Sequence, residues 1–340
     1  MDSDDKLLRE GKGVNNNHEK KILSRLFGKP FLPSFNYDNT PKQKYHYTSS
    51  EGLMGILKTH TFYFTDSQFL NDFRERININ EELELFWRDN RKKYDKEFFK
   101  LLSSFRVDKY EDTGFSYADS LSSEMCRYFV FSMSMEKDCL SMWKYYSKNN
   151  SYDGYCIKLF SAALVDEWID RTTGVAIISS KIEYYSEEKQ KLISETVDRL
   201  FEIWKSYELS DELNDKIKKE YSSWVSVEAL FFKNQCFEDE RETRYVAIVP
   251  TNKLNDLYYE YDSVKHKMYD FRIVNGVLTP YIKMPFNDWN KETCWAISSI
   301  RIGPSANSEQ RLKGLERFID SLDYKFESCP LLQSEIPVRY

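Results

Sequence analysis

The feature that most constrains the fold is a series of short strand-like runs interrupted by helical stretches of very different length. The clearest runs are Cys126 to Met135, Gly154 to Phe160 and Thr243 to Val249, whose apolar and β-branched residues are typical of strands. The dipeptide Asn275-Gly276 lies between two further runs, FRIV and VLTPYIKM, and predicts a β-hairpin. Because strands and helices do not alternate regularly, the pattern predicts an α+β fold rather than a doubly wound parallel sheet.

Two helical stretches lie between the strand-like runs, and we interpret them as insertions into one domain. They cover about residues 79–125 and 187–232, and their charges and apolar spacing predict solvated and packed helix faces rather than chemistry. Residues 1–43 are mostly polar and charged, and they predict an N-terminal arm. The expected organisation is this arm followed by a single α+β domain over residues 44–340.

Composition argues against several classes of protein. There is no run of about 18 apolar residues and no apolar stretch near the start, so we expect no membrane segment and a cytoplasmic location. The net charge of −6 does not favour a duplex-DNA binder. Six cysteines are scattered without a CxxC motif, which predicts reduced thiols and no metal site. The chain lacks a P-loop and a dinucleotide fingerprint, so ATP and Rossmann-type chemistry are not expected.

The main candidates for chemistry are two glutamates and an arginine at the start of a late strand. Alternate residues of a strand share a face, so Glu240, Glu242 and Arg244 are expected to project together. Two carboxylates beside one arginine can hold a ribose by its hydroxyls. Alternatively, one carboxylate stays charged while the other carboxyl has a raised pKa. A solvated cluster in which Arg244 compensates Glu242 explains the same string, and that alternative stays open.

Polar residues inside strand-like runs are a second group of candidates. His46 lies beside Tyr47 and Thr48 in the first run, where a histidine can be a ligand contact or a satisfied structural residue. Ser132 alternates with apolar residues in a middle run. No histidine lies near it in sequence, so it indicates a hydroxyl lining a pocket rather than a hydrolase triad.

The remaining candidates are aromatic and loop residues. Trp143 and Tyr146 are three residues apart on a short predicted helix and form an aromatic edge, which is usually part of a core. Asn71 and Asp72 follow a strand, where they favour a turn and are also in a position to contact a ligand.

Five stretches of sequence occur in order between Tyr45 and Pro304. They read YHYTSSEGLMGIL; FTDSQFLNDFRE; FVFSMSMEKDCLSMWKYYSKNNSYDGYCIKL; FEDERETRYV; and, as one interrupted C-terminal stretch, NGVLTPYIKM followed by ISSIRIGP. Together they resemble the bacterial family catalogued as domain of unknown function 2971 (DUF2971). Phe73 and Arg74 depart from its pattern, which has a proline and another apolar residue before the acidic position, here Glu75.

That family resembles, more distantly, the ADP-ribosyltransferase fold, and the resemblance implies a split antiparallel sheet core and NAD as a substrate. By this resemblance His46 bonds the adenosine ribose, and Thr48 assists through its backbone. Tyr63 or Tyr146 stacks on the nicotinamide ring.

The same resemblance implies the roles of the two glutamates. Glu242 holds the 2′-hydroxyl of the nicotinamide ribose and stabilises an oxocarbenium-like transition state, while Glu240 orients the acceptor. The chemistry is coherent because a carboxylate stabilises positive charge that develops in a water-poor cleft.

Three functions are consistent with the sequence. The first is an NAD-consuming ADP-ribosyltransferase or NAD glycohydrolase, a toxin or anti-phage defence effector whose macromolecular acceptor is a protein or a nucleic acid. The second is a nucleic-acid-directed protein of the same fold that acts on a terminal phosphate or a base. The third is a non-catalytic nucleotide-binding module that keeps the pocket and has lost the reaction.

Overall fold

The computed structural model describes most of the chain after residue 42. The described residues are 43–71, 74–108, 110, 113–116, 123–147, 152–160, 164, 168, 172, 175–207, 209–261, 264–286, 293–294, 296–322, 325–326 and 329–337. The predicted arm over residues 1–43 therefore lies outside the described residues except for Gln43. Contacts divide the chain into two compact units. Unit one includes the described parts of residues 70–127 and 183–235, and unit two those of residues 36–69, 128–182 and 236–340.

The architecture is mixed α+β, as predicted, with a large and mostly antiparallel sheet. The α-helices of the described residues are α1 (Ser50–Thr59), α2 (Asn78–Asn90), α3 (Lys96–Leu102), α4 (Leu140–Tyr145), α5 (Ser186–Ser206), α6 (Asp211–Glu228) and α7 (Ser308–Asp320). The strands are β1 (Lys44–Thr48), β2 (Thr61–Asp66), β3 (Thr113–Ser116), β4 (Ser123–Ser134), β5 (Tyr155–Leu159), β6 (Ala176–Lys181), β7 (Glu242–Pro250), β8 (Tyr258–Tyr261), β9 (Val264–Lys267), β10 (Tyr269–Val274), β11 (Val277–Pro285), β12 (Thr293–Cys294), β13 (Ile297–Ile302), β14 (Lys325–Phe326) and β15 (Leu331–Gln333).

Unit one is held together by aromatic side chains of α2, α3, α5 and α6. The indole Nε1 of Trp87 donates to the hydroxyl of Tyr221 at 3.1 Å, and Trp204 Nε1 donates to Asn214 Oδ1 at 3.0 Å. Trp224 is 1% exposed. These buried indole rings account for the packing between the helices, since indole rings bury large apolar areas.

The sheet of unit two has the strand order β10-β11-β2-β4-β1-β5-β13-β15, and β7 pairs with β4 and β6. The pairs along this order, and the pair of β6 with β7, are antiparallel except β13 with β15. The predicted hairpin is confirmed, because Asn275 and Gly276 connect β10 to β11 with φ values of 49° and 81°. Two left-handed residues are what a tight hairpin turn requires.

Local signals explain how the strands next to the site begin and end. The Ser49 side chain caps α1 by accepting from the Gly52 amide at 3.1 Å, as an N-cap serine does. Gly303 follows β13, and a Cβ added there would lie 2.2 Å from the Tyr152 carbonyl oxygen. Only glycine allows this close approach of two backbone segments.

The strand register separates the sheet of unit two into a core face and a polar face. Phe62, Phe131 and Tyr245 belong to the main hydrophobic core, and the residues that alternate with them project to the opposite side. Cross-strand partners share a face. The pairs Thr65 with Val130 and Tyr45 with Ser134 therefore place residues of β1, β2 and β4 on this same opposite side. We call this side the polar face. It carries Arg272, Tyr281, Tyr63, Thr65, Ser132, Ser134, Tyr45, Cys156, Lys158, Ser299, Arg301, Glu242 and Arg244.

Candidate functional site

A buried carboxylate and guanidinium lie on the polar face of β7. Arg244 Nε donates to Glu242 Oε1 at 2.7 Å, and Arg244 Nη2 donates to Glu242 Oε2 at 2.9 Å. The two side chains are only 2% and 5% exposed. Two parallel hydrogen bonds fix the carboxylate in orientation as well as in position. The pair is therefore a rigid, preorganised charge group and not a solvated surface cluster.

Glu240 does not share the face of Glu242, contrary to the expectation from strand alternation. It is the last residue of a 3₁₀-helix over Gln235–Glu240, and β7 begins at Glu242. Arg241 between them has a φ of 41°, so the backbone turns before the strand starts. The Glu240 carbonyl accepts a hydrogen bond from the Ser134 hydroxyl at 2.8 Å. Strand alternation is lost at this turn because period-2 side-chain placement requires extended backbone.

An aromatic and cationic cluster lies on the same polar face at β2, β10 and β11. The rings of Tyr63 and Tyr281 are 4.3 Å apart, and the Arg272 guanidinium carbon lies 5.7 and 5.6 Å from their centroids. Arg272 Nη2 donates to Thr65 Oγ1 at 2.8 Å. Its Nε is buried and has no hydrogen-bond partner among the described residues. An arginine with a spare donor against two aromatic rings is suited to an anionic ligand that carries a flat ring.

A further ion pair orients this cluster. Lys283 Nζ lies 2.7 Å from Asp270 Oδ2, and its hydrogen bond holds the pKa of Asp270 below the usual range. The Tyr281 hydroxyl is 3.4 Å from the same carboxylate oxygen. Burial raises the pKa of Tyr281, so this phenol is a neutral hydrogen-bonding group at neutral pH.

His46 projects toward the core face, away from Glu242. Its ring centroid is 4.5 Å from that of Phe131 and 6.2 Å from that of Phe62. Its Nδ1 is 3.0 Å from the Ser132 carbonyl oxygen, and burial lowers the pKa of His46 to about 4. Because a carbonyl only accepts, the neutral ring carries its proton on Nδ1. The structure gives His46 a packing role beside β4, and its predicted contact with a ribose stays a prediction.

The other residues predicted on β1 are buried. Thr48 is 7% exposed, and it shares the core-face parity of His46. The Tyr47 hydroxyl donates to the Glu136 carbonyl at 2.9 Å and accepts from the Cys139 amide at 3.0 Å. Tyr47 therefore fixes the loop between β4 and α4, and both functions of its hydroxyl are in use.

The predicted aromatic edge is divided between a buried and an exposed ring. Trp143 is 0% exposed, and its Nε1 donates to Asp138 Oδ1 at 2.6 Å. Tyr146 is 36% exposed and stacks on Tyr47 with centroids 6.4 Å apart. Of the two, Tyr146 is accessible to a ligand and Trp143 is part of the local core.

The loop candidates and Ser132 complete the predicted set. Ser132 is half-buried on the polar face, and its hydroxyl makes no hydrogen bond within the part of the chain that the structure describes. Asn71 is exposed, and Asp72 lies outside the described residues. No group of three His, Cys, Asp or Glu side chains that could hold a metal ion occurs among the described residues.

The polar face therefore brings together Tyr63, Ser132, Glu242 and Arg244, and it leaves His46 and Thr48 on the other side. The sequence interpretation missed Arg272 and Tyr281. The alternation of Arg272 and Tyr281 in the two strands of the hairpin was visible in the sequence. The pairing of β11 with β2, which brings them to Tyr63, was not, because it joins segments more than 200 residues apart. What the arrangement offers is an oriented carboxylate–guanidinium pair and a cation–aromatic platform on one surface of one sheet.

Comparison with known proteins gives one match. Residues 142–245 match the model of a family described as "Protein of unknown function (DUF2971)", which confirms the resemblance to that family over the stretch from α4 to the start of β7. Glu242 and Arg244 lie within the matched residues. No match was found among curated proteins or among solved structures. None of the helices that the structure describes is both long and apolar enough to cross a membrane.

Proposed function

We propose that the polar face of unit two binds NAD and that the protein cleaves the bond between nicotinamide and ribose, as an ADP-ribosyltransferase or an NAD glycohydrolase. The observation that carries the proposal is the Glu242–Arg244 pair, a buried carboxylate held by two hydrogen bonds of 2.7 and 2.9 Å. It shares a face with the Tyr63–Tyr281–Arg272 cluster.

In the proposed reaction the C1′–N bond breaks, and its electron pair leaves with nicotinamide. The ribose carbon becomes positively charged, and a fixed carboxylate at Glu242 stabilises that charge because it needs no reorganisation. Water or an acceptor nucleophile then bonds to C1′ and loses its proton. Arg244 holds the carboxylate by hydrogen bonds to both of its oxygens, which fixes the orientation in which it meets the ribose.

Binding of the remaining parts of NAD is proposed at the hairpin. Tyr63 is half-buried and lies against Tyr281 with a centroid separation of 4.3 Å, which supports stacking of a flat ring. The half-buried Arg272 guanidinium, which lies 5.7 and 5.6 Å from the centroids of the two rings, supports a contact with a diphosphate oxygen. An enzyme that consumes NAD depletes it in the cell, so the proposal extends to a toxin or anti-phage effector.

A second candidate is a nucleotide-binding module without catalysis. Two observations favour it: both oxygens of Glu242 already accept from Arg244, and Glu240 lies on a 3₁₀ turn rather than on β7. A site that had lost the reaction would keep the stacked rings of Tyr63 and Tyr281 and the Arg272 guanidinium. The Glu242 carboxylate would then serve only as one member of a structural ion pair.

Nicotinamide release from NAD by the purified protein tests both candidates. Wild type, Glu242→Gln and Glu309→Gln are compared, with and without cell lysate or nucleic acid. Glu309 is an exposed residue in the first turn of α7, so Glu309→Gln makes the same chemical change away from the polar face. NAD binding is measured in parallel by calorimetry for wild type, Tyr63→Ala and Glu309→Gln, and thermal unfolding checks that each variant is folded.

The enzyme is established if wild type and Glu309→Gln release nicotinamide and a folded Glu242→Gln releases it about 10²-fold or more slowly. NAD binding that weakens in Tyr63→Ala, without release in any condition, supports the binding module instead. The absence of both binding and release from folded wild type contradicts the two candidates together. Release that appears only with added nucleic acid identifies the acceptor class.

A further inference from the structure

A small cavity opens on the polar face at β1, β5 and β13, away from the hairpin cluster. Its volume is about 190 Å³, which is below the roughly 300–1,000 Å³ of pockets that hold whole drug-sized ligands. The side chains that matter for its chemistry are Tyr45, Lys137, Cys156, Lys158, Ser299 and Arg301. Its size fits an anionic head group with a short carbon skeleton.

The cavity holds two positive charges without a partner. Neither the Lys137 nor the Lys158 ammonium makes a hydrogen bond or an ion pair within the described residues. Lys158 lies on β5 and projects to the polar face beside Tyr45, its cross-strand partner. Lys137 is exposed and Lys158 is half-buried, and an anion in the cavity is attracted to both ammonium groups.

The third cation, Arg301, is already compensated. Its Nη1 donates to the Gln333 carbonyl and lies 3.8 Å from Asp138 Oδ2 and 4.0 Å from Glu335 Oε1. Asp138 is fixed in turn by Trp143 and by the Glu335 amide at 2.8 Å. Arg301 is therefore held in place as a wall of the cavity, and the charge left for a ligand is that of the two lysines.

Neutral donors complete the lining, and nothing in it is negatively charged. Ser299 is 7% exposed, and its hydroxyl has no partner in the described part of the chain. Burial raises the pKa values of the Cys156 thiol and the Tyr45 phenol, so both are protonated at neutral pH. Glu136, whose charge also raises the pKa of Tyr45, is paired with Arg241 at 3.0 Å. A hydroxyl that lines the cavity and is not used within the described residues can donate to a ligand oxygen.

We propose that this cavity binds the phosphate group of a small phosphate monoester. Two lysines match the charge of about −2 that such a phosphate carries at neutral pH, and lysine ammonium groups and serine hydroxyls are suitable donors to its oxygens. A nucleic-acid end is the less favoured source of the same group, because the chain has a net charge of −6 and such a strand would also be repelled by the protein as a whole.

Binding of inorganic phosphate, ribose 5-phosphate and a 5′-phosphorylated oligonucleotide is measured by calorimetry at low ionic strength, without NAD. The variants are Lys158→Gln, Lys137→Gln and Ser299→Ala, and Lys313→Gln on α7 is the matched control because Lys313 is exposed. Each lysine variant is expected to weaken ribose 5-phosphate binding by about tenfold or more, and Ser299→Ala by about threefold. Thermal unfolding verifies the fold of every variant.

Binding of phosphate and ribose 5-phosphate that weakens in the three variants and not in Lys313→Gln supports the site. Equal affinity in wild type and folded variants, or no binding of either small phosphate, overturns it. Binding of the oligonucleotide alone also overturns the small-molecule assignment. The result is independent of NAD cleavage, because a phosphate site can exist in a protein that releases no nicotinamide, and the converse also holds.

Discussion

Replacing Arg244 with methionine removes the partner of a carboxylate that is almost completely buried. Glu242 is 5% exposed and Arg244 is 2% exposed, so neither charge is screened by water. Removing one member of such a pair leaves a buried charge without compensation, which costs about 3–5 kcal/mol. Arg244→Met is therefore expected to destabilise the fold by about that amount.

Replacing both members is expected to cost much less than the sum of the single changes. In Glu242→Gln/Arg244→Met no ionised group is left buried, and well-packed neutral side chains at such positions are often close to neutral for stability. Both residues also make contacts beyond their pair, so the pair term has to be isolated by a double-mutant cycle. We expect a coupling energy of about 2–3 kcal/mol.

Urea unfolding at pH 7, followed by tryptophan fluorescence and circular dichroism, measures the four corners of the cycle. A loss of about 3–5 kcal/mol lowers the midpoint by roughly 1 M or more at the urea m-values of ordinary domains. Glu136→Gln is the matched control, because Glu136 also pairs with an arginine, Arg241, at 3.0 Å. That pair is 40% and 66% exposed, and it is expected to contribute less than about 1 kcal/mol.

A coupling energy below about 0.5 kcal/mol between Glu242 and Arg244 would refute the reasoning. It would mean that the carboxylate is hydrated in solution or finds another partner, and that the two hydrogen bonds do not fix it. The same result would weaken the proposed catalytic use of Glu242, because preorganisation is the property on which that use depends.

Two further predictions concern the elements around the site. Burial lowers the pKa of His46 to about 4 from its ordinary 6.5, so the folded protein binds fewer protons than the unfolded chain between these values. Stability is therefore expected to fall by up to about 3 kcal/mol as the pH is lowered from 6.5 to 4, and His46→Gln should show a smaller loss in urea titrations over that range. Gly303→Ala is expected to destabilise by about 1–3 kcal/mol, because its Cβ would lie 2.2 Å from the Tyr152 carbonyl oxygen. Gly55→Ala in α1, where no atom lies within 4 Å of the added Cβ, should instead stabilise by up to about 1 kcal/mol in thermal unfolding; equal effects of the two changes would contradict the geometry.

Elements with strong local signals could be predicted from the sequence. The Ser49 cap of α1, the Asn275-Gly276 turn and the strand Ile297–Ile302 all follow from residues within the element or next to it. Such signals act over a few residues, so they set where elements begin and end. They do not determine which strands become neighbours, because pairing of β11 with β2 brings Tyr281 opposite Thr65 across more than 200 residues.

The backbone turn before β7 explains why the glutamate pair was only half predicted. The string Glu240 to Arg244 has the period of a strand, and the sequence around it contains no glycine or proline to indicate a break. The turn is made by Arg241 in a left-handed conformation, which is uncommon for a residue other than glycine, asparagine or aspartate. The contacts that fix this turn come from elsewhere in unit two, since the Arg241 and Glu240 carbonyls bond to Met135 and Ser134.

The face on which each charged residue lies is a further property that the local pattern hides. All nine residues of β7 are buried, so the strand has no polar and apolar alternation from which its orientation could be read. Long-range contacts, such as that of Lys44 with the Tyr245 ring at 4.7 Å, show which parity of β7 faces the same side as His46. Since Glu242 and Arg244 have the other parity, a ligand that contacts Glu242 in this structure must lie on the polar face. For the same ligand to contact His46 as well, β1 and β4 would have to separate. The separation would occur where His46 Nδ1 lies 3.0 Å from the Ser132 carbonyl oxygen. If this hydrogen bond persists in the NAD-bound protein, residues of the polar face bind the ribose, and His46 supports β4.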